Sequence, residues 1–120
     1  MLTLLENLPE TVLGVEATGK VTDDDYEQVL VPAVHALRAK HERIRFIYVV
    51  GKDFDGWSTG AMWEDAKLGL KDPRAWEKVA VVSDKDWLKH TVKAFGWMIP
   101  GEVRSFGLDK LDEAKRWAAA

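Results

Sequence analysis

The stretch Arg43-Ile-Arg-Phe-Ile-Tyr-Val-Val-Gly51, RIRFIYVVG, is β-branched or aromatic at nearly every position from Ile44 onward and shows no polar alternation after Arg45. A strand of that composition has no face to turn to water, so it belongs at the centre of a sheet covered on both sides. A second run of the same kind, Val79 to Val82 within WEKVAVVSD, predicts another buried strand. Between the two the period becomes helical. From about Ser58 to Lys71, Met62, Ala66, Gly69 and Leu70 fall at core spacing, and Asp72-Pro73 ends the helix. After the second run, Ser83 is expected to cap a helix with Asp86 at its third position, and that helix runs to Pro100-Gly101.

Toward the N-terminus, LTLLENL and VLGVEATG read as short strands separated by Asn7 to Glu10, where Pro9 breaks any helix, and so as an antiparallel hairpin. Thr22 then caps a helix with Asp25 completing the reciprocal bond, and its apolar face is Tyr26, Val29, Leu30, Ala33 and Leu37. Pro32 lies inside that pattern and removes a backbone donor, which predicts a kink or an early break near Leu30. At the other end EVRSFG is a last short strand. LDKLDEAKRWAAA is a terminal helix that buries Leu111, Ala114 and Ala118. The order β-β-α-β-α-β-α-β-α over residues 1–120, without linker or repeat, predicts a single α/β domain. Its sheet is five-stranded, mixed and mostly parallel, with an antiparallel edge hairpin and about four helices.

A chain of 120 residues can bury a core without metal or disulfide staples. It has no cysteine, which excludes a disulfide framework, thiolate zinc sites and thiol nucleophiles and suits a reducing cytoplasm. A formal charge of -3 with interspersed signs offers no basic face to DNA or RNA. MLTLLENLPE lacks the basic region of an export signal, and no apolar run approaches the roughly 20 residues that span a bilayer. Catalytic signatures are missing too. Glu64 and Asp65 are adjacent on one helix, point apart by about 100° and read as a solvated face. His35, His41 and His90 have no nucleophile, second metal ligand or phosphate loop to work with. No enzyme, no cofactor and no metal site is expected.

The segments DFDGWSTGAMWEDAKLGL, VAVVSDKDW, FGWMIPGEVRSF and EAKRW together resemble the SpoIIAA-like proteins, relatives of the STAS domain with a CRAL-TRIO-like fold. The resemblance covers nearly the whole chain. It implies a STAS/SpoIIAA-like sandwich in a bacterial, cytoplasmic protein that binds a nonpolar small molecule or lipid or associates with a membrane. In anti-sigma-factor antagonists of this kind, an Asp-Ser-Ser/Thr-Gly motif opens the helix after the central strand and is phosphorylated by a partner kinase. Ser58-Thr59-Gly60 stand in the equivalent place, which marks Ser58 and Thr59 as phosphorylation candidates. Trp57 replaces the motif's Asp. An interaction module of that type is the alternative function, and the simpler reading of Ser58 or Thr59 is a helix cap.

The aromatic residues supply the remaining candidates. Phe54 and Trp57 sit in a glycine-flanked segment, Lys52 to Trp57, read as a loop at the carboxyl end of the central strand, where open α/β sheets usually bind ligands. With Met62, Trp63, Phe95 and Met98 they form the expected ligand-binding set, Trp63 being at least half core. On the later helix Leu88, Val92, Phe95 and Ile99 form a core stripe widened by Trp87, Ala94 and Met98, whereas Trp97 aligns with Asp86, His90 and Lys93 on the polar side. A tryptophan beside Lys93 and near Lys89 is the pattern of an interfacial helix, so Lys89, Lys93 and Trp97 are the membrane-contact candidates. Packing of Trp97 under a loop or on a second copy, in a homodimer, is the other reading.

Overall fold

Five strands lie side by side in the order in which the chain makes them: β1 (Leu2–Leu4), β2 (Val12–Val21), β3 (Ile44–Trp57), β4 (Trp76–Val82) and β5 (Glu102–Phe106). They are seen in a computed structural model that describes residues 1–98 and 101–120, apart from the side chains at 66, 68–70, 95 and 98. β1 runs antiparallel to β2, and every other neighbouring pair is parallel. Right-handed crossovers between parallel strands that always advance in one direction deliver the connecting helices to one face. The packing follows that rule. Tyr26, Leu30, Val34, Ala61 and Leu88 from the connecting segments meet Phe46, Tyr48, Val50 and Val79 of the sheet, while Ile47, Val49, Ala80 and Val82 meet Ala114 and Ala118 of the last helix on the other side. Because the strand order never reverses, the sheet has no switch point of the kind that places ligands in doubly wound folds.

The central strand is covered on both faces, as its composition requires: Ile47 is fully buried toward one helix layer and Phe46 and Tyr48 are buried toward the other. Covering one such side chain is worth about 1.5–3 kcal/mol. β3 does not stop at Gly51, however. Lys52–Trp57, read from the sequence as a loop, continues the strand and pairs with β2 through Gly19–Phe54, Lys20–Gly56 and Val21–Trp57, with register shifts on the way. The irregularity is tolerated because Gly56 takes φ 117°, open to glycine at little cost.

The first connection is one helical rod in three parts: α1 (Asp23–Asp25), a π-helical turn (Tyr26–Leu30) and α2 (Val31–Arg38). Thr22 and Asp25 form the reciprocal capping box. Pro32 does not break the rod. The turn before it widens, with Val31 N–H donating to the Tyr26 carbonyl, and the helix absorbs the ring and the missing donor and continues to Arg38.

Ser58 caps α3 (Thr59–Lys71), its Oγ accepting from Ala61 N–H at 3.0 Å. α3 and α1 pack so closely that a Cβ on Gly60 would stand 2.9 Å from the Asp23 carboxyl carbon. Ser83 does not cap α4 (Asp86–Phe95). Its Oγ accepts from Lys85 N–H in the turn before the helix, and Lys85 is the cap residue. α4 ends at Phe95 and a 3-10 turn follows at Gly96–Met98, so the expected continuation through Ile99 and Pro100 lies outside the described residues. α5 (Leu111–Ala119) buries Ala114 and Ala118 and leaves Leu111 half-buried. Its C-terminal carbonyls accept from Arg45 at Ala118 and Ala120 and from Lys78 at Trp117, which places two cations on the negative end of the helix dipole.

Candidate functional site

Alternation along β3 puts Phe46, Tyr48 and Val50 on one face, and the parallel register sets Val79 and Val81 of β4 beside them. The helices arching over this face do not fill it. They leave a half-enclosed cavity of about 210 Å³ between the sheet, the π-helical turn at Leu30, α3 at Asp65 and α4 at Leu88. Four aromatic side chains line it, beside Leu30, Val50, Val79, Val81 and Leu88. Phe46 lies edge-on to Tyr48 at 5.7 Å between ring centres and tilted against Trp76 at 5.5 Å, and Trp57 lies edge-on to Tyr48 at 6.4 Å. Trp57 is itself held edge-on against Phe54 at 4.6 Å and Trp87 at 5.8 Å.

Polar atoms enter this wall as one directed chain. Trp57 Nε1–H donates to Tyr48 Oη at 3.0 Å, and Tyr26 Oη donates to Asp65 Oδ1 at 2.9 Å. Since the single Tyr26 proton goes to Asp65, the 3.0 Å contact between the two phenols has Tyr48 as donor and Tyr26 as acceptor. Three donors therefore point in sequence toward one carboxylate. Burial pushes the Tyr48 phenol up to about 12, and it raises Tyr26 further, helped by the charge of Asp65 beside it. Both remain neutral donors at any ordinary pH.

Asp65 is the only charged residue among those described in the wall. Burial raises its carboxyl above the usual value of 3.8, and the bond from Tyr26 offsets part of that rise. Its side chain nonetheless keeps exposed surface, and it also lines the cavity. It forms no ion pair among the described residues, where Glu64 next to it engages Lys67 at 3.2 Å. Asp65 is thus exposed, as a solvated face implies, and in addition bonded to Tyr26 and part of the cavity wall.

Of the expected ligand-binding set, the structure places Trp57 in the wall. Phe54 is buried behind it as its support. Met62 and Trp63 are 60% and 67% exposed, so the core-facing roles assigned to them are wrong. Ala61, which is buried, and Asp65, which bonds Tyr26, stand four positions apart on α3, and Met62 is turned about 100° from Ala61. The side chains of Phe95 and Met98, and those of Ala66 and Leu70, lie outside the described residues. Tyr26, Tyr48, Asp65 and Trp76 escaped the sequence reading. The Phe46-x-Tyr48 alternation was the available signal for Tyr48 and the helical apolar face for Tyr26, and nothing local announced Asp65 or Trp76.

On the outer side of α4, Lys89, Lys93 and Trp97 do come together, around an open depression that also includes Asp86 and His90, and Trp97 is 78% exposed. Among the described residues no helix is long and apolar enough to cross a membrane.

A model of the SpoIIAA-like family matches residues 12–119. Among solved structures, the chain is similar to an uncharacterized protein with a SpoIIAA-like fold from Shewanella loihica PV-4. The identity is 27% and the TM-score 0.76, over 98% of this chain and 92% of that one. No curated protein matches.

Proposed function

The chain belongs to the SpoIIAA-like family, and from that premise we propose that it is a non-enzymatic binding protein whose cavity takes one small, largely apolar molecule. The observation that carries this reading is the aromatic cavity beneath the helices, walled by Phe46, Tyr48, Trp57 and Trp76 and open to solvent on one side. A core has no reason to leave about 210 Å³ unfilled, since interiors otherwise pack to crystal density. The volume also limits the occupant. Apolar cavities of about 150 Å³ admit benzene and ordinary ligand sites begin near 300 Å³, so the fit is to one ring with a few further atoms. A lipid acyl chain is too long for it. Native mass spectrometry of protein taken from its own host tests the reading, with a small co-purifying molecule as the expected result and a uniformly empty protein as the contrary one.

A second reading, an interaction module of the anti-sigma-factor antagonist type, is the one that family and fold taken alone favour. It draws on Ser58, which opens α3 directly after the central strand. The local charge opposes it. The Ser58 Oγ already serves as the cap, and Asp23 packs on the first turn at Gly60, so a phosphate there would meet a carboxylate instead of an open helix end. A phosphate adduct in the same mass spectrum would reverse this order. Peripheral membrane contact through Trp97, Lys89 and Lys93 is compatible with either reading.

A further inference from the structure

We propose that the occupant of this cavity is an organic cation: a small hydrophobic amine whose protonated nitrogen rests on the open edge of the Asp65 carboxylate while its apolar body lies against the Phe46, Tyr48, Trp57 and Trp76 rings. The inference rests on the cavity being a ligand site, and it names the chemical class that the site selects. Oδ1 of Asp65 is committed to Tyr26, and no described residue bonds Oδ2. The side chains outside the description belong to Ala66, Leu68, Gly69, Leu70, Phe95, Met98, Ile99 and Pro100, none of which carries a charge. The protein therefore supplies no counter-ion to this carboxylate.

An occupant decides what happens next. Asp65 lines the cavity, so a hydrocarbon there takes solvent from the carboxylate on that side and returns nothing to it, which is costly. An anion adds repulsion. A protonated amine instead returns a charge-assisted hydrogen bond to Oδ2. The aromatic lining suits a cation as well, because ring quadrupoles attract one held within about 6 Å. The directed chain from Trp57 through Tyr48 and Tyr26 favours the same state, since successive donors strengthen one another and end on an ionised acceptor. A protein needing only a greasy pocket has no use for a carboxylate there.

The test uses three probes of one shape, namely benzylamine, benzyl alcohol and benzoate, titrated by calorimetry or NMR into the parent protein and into Asp65→Asn. Asparagine keeps an oxygen for Tyr26 and removes the charge. Benzylamine should bind the parent about tenfold or more tighter than benzyl alcohol, as a charge-assisted bond to a buried partner implies. That preference should vanish in Asp65→Asn while benzyl alcohol binding persists. Equal binding of amine and alcohol, a preference for benzoate, or a preference that survives in Asp65→Asn overturns the cation proposal and leaves the cavity reading standing. Failure of all three probes to bind the parent overturns the cavity reading itself. Should the variant not fold, the Asp65 carboxyl carbon resonance of the parent answers the same question: it should move with benzylamine and stay with benzyl alcohol, and the reverse contradicts the proposal.

Discussion

Tyr26 and Asp65 are separated by 39 positions in the chain, and the phenol of the one donates to the carboxylate of the other at 2.9 Å. The bond joins the π-helical turn to α3 above the cavity, and it holds inward an acidic side chain that helix amphipathicity alone would send to water. Several consequences are measurable.

Asp65 should cost the protein stability at neutral pH. Burial raises its folded carboxyl above 3.8, so the folded state holds a proton that the unfolded chain has already released. Between the unfolded and the raised folded value, stability therefore falls as pH rises, and the full cost is present above that window. Urea unfolding should find Asp65→Asn more stable than the parent at pH 7, with the difference shrinking as pH is lowered through the window. An Asp65→Asn protein that is less stable at pH 7 and gains relative stability toward acid would contradict the assignment. A stabilising loss of charge is what a residue kept for binding would show.

Tyr26→Phe keeps the ring in a fully buried place and deletes one hydroxyl that is both donor to Asp65 and acceptor from Tyr48. The loss leaves two partners short, so unfolding free energy should drop by about 1–3 kcal/mol in denaturant titrations. An unchanged midpoint would mean that water takes over both bonds.

The hydroxyl of Ser58 accepts from Ala61 N–H, and this predicts a cap effect independent of any modification. Ser58→Ala should cost about 1 kcal/mol, and Ser58→Asp, another good cap, should recover most of it. If Asp destabilises as much as Ala, the negative charge of Asp23 across Gly60 dominates the site, which would also weigh against a phosphate there.

Trp97, at 78% exposure, should be dispensable for folding. Trp97→Ala is expected to change stability by no more than about 0.5 kcal/mol while weakening sedimentation with anionic liposomes, to which Lys89 and Lys93 would each add about 1 kcal/mol near the surface. A parent protein that never sediments with liposomes at low salt removes the membrane role from all three residues.

The sheet and its hairpin were readable because Ile44 to Gly51 and Val79 to Val82 are apolar on both faces, a pattern with one structural solution. The extension of β3 to Trp57 was not. Polar Lys52, Asp53 and Asp55 and two glycines around a single Phe54 look like a loop until β2 is seen pairing with them. On α3 the reading failed by one residue, because it sought an apolar stripe and the inward position is an aspartate held by a tyrosine from another element. The site is harder still. A cavity is volume that side chains fail to fill, and no single residue encodes it. Phe46, Trp76 and Leu88 read equally well as solid core.

A binding protein of this kind must accept a molecule in that volume. Six tryptophans make fluorescence ambiguous, so the measurement is the indole Nε1–H resonance of Trp57, followed by NMR during titration with benzylamine and then benzyl alcohol. Saturable movement of that resonance with at least one probe is predicted, accompanied by the methyl groups of Val79, Val81 and Leu88 in the same wall, while Ile47, Val82 and Ala114 on the opposite face of the sheet stay still. No saturable movement with either probe, or equal movement on both faces, would contradict it.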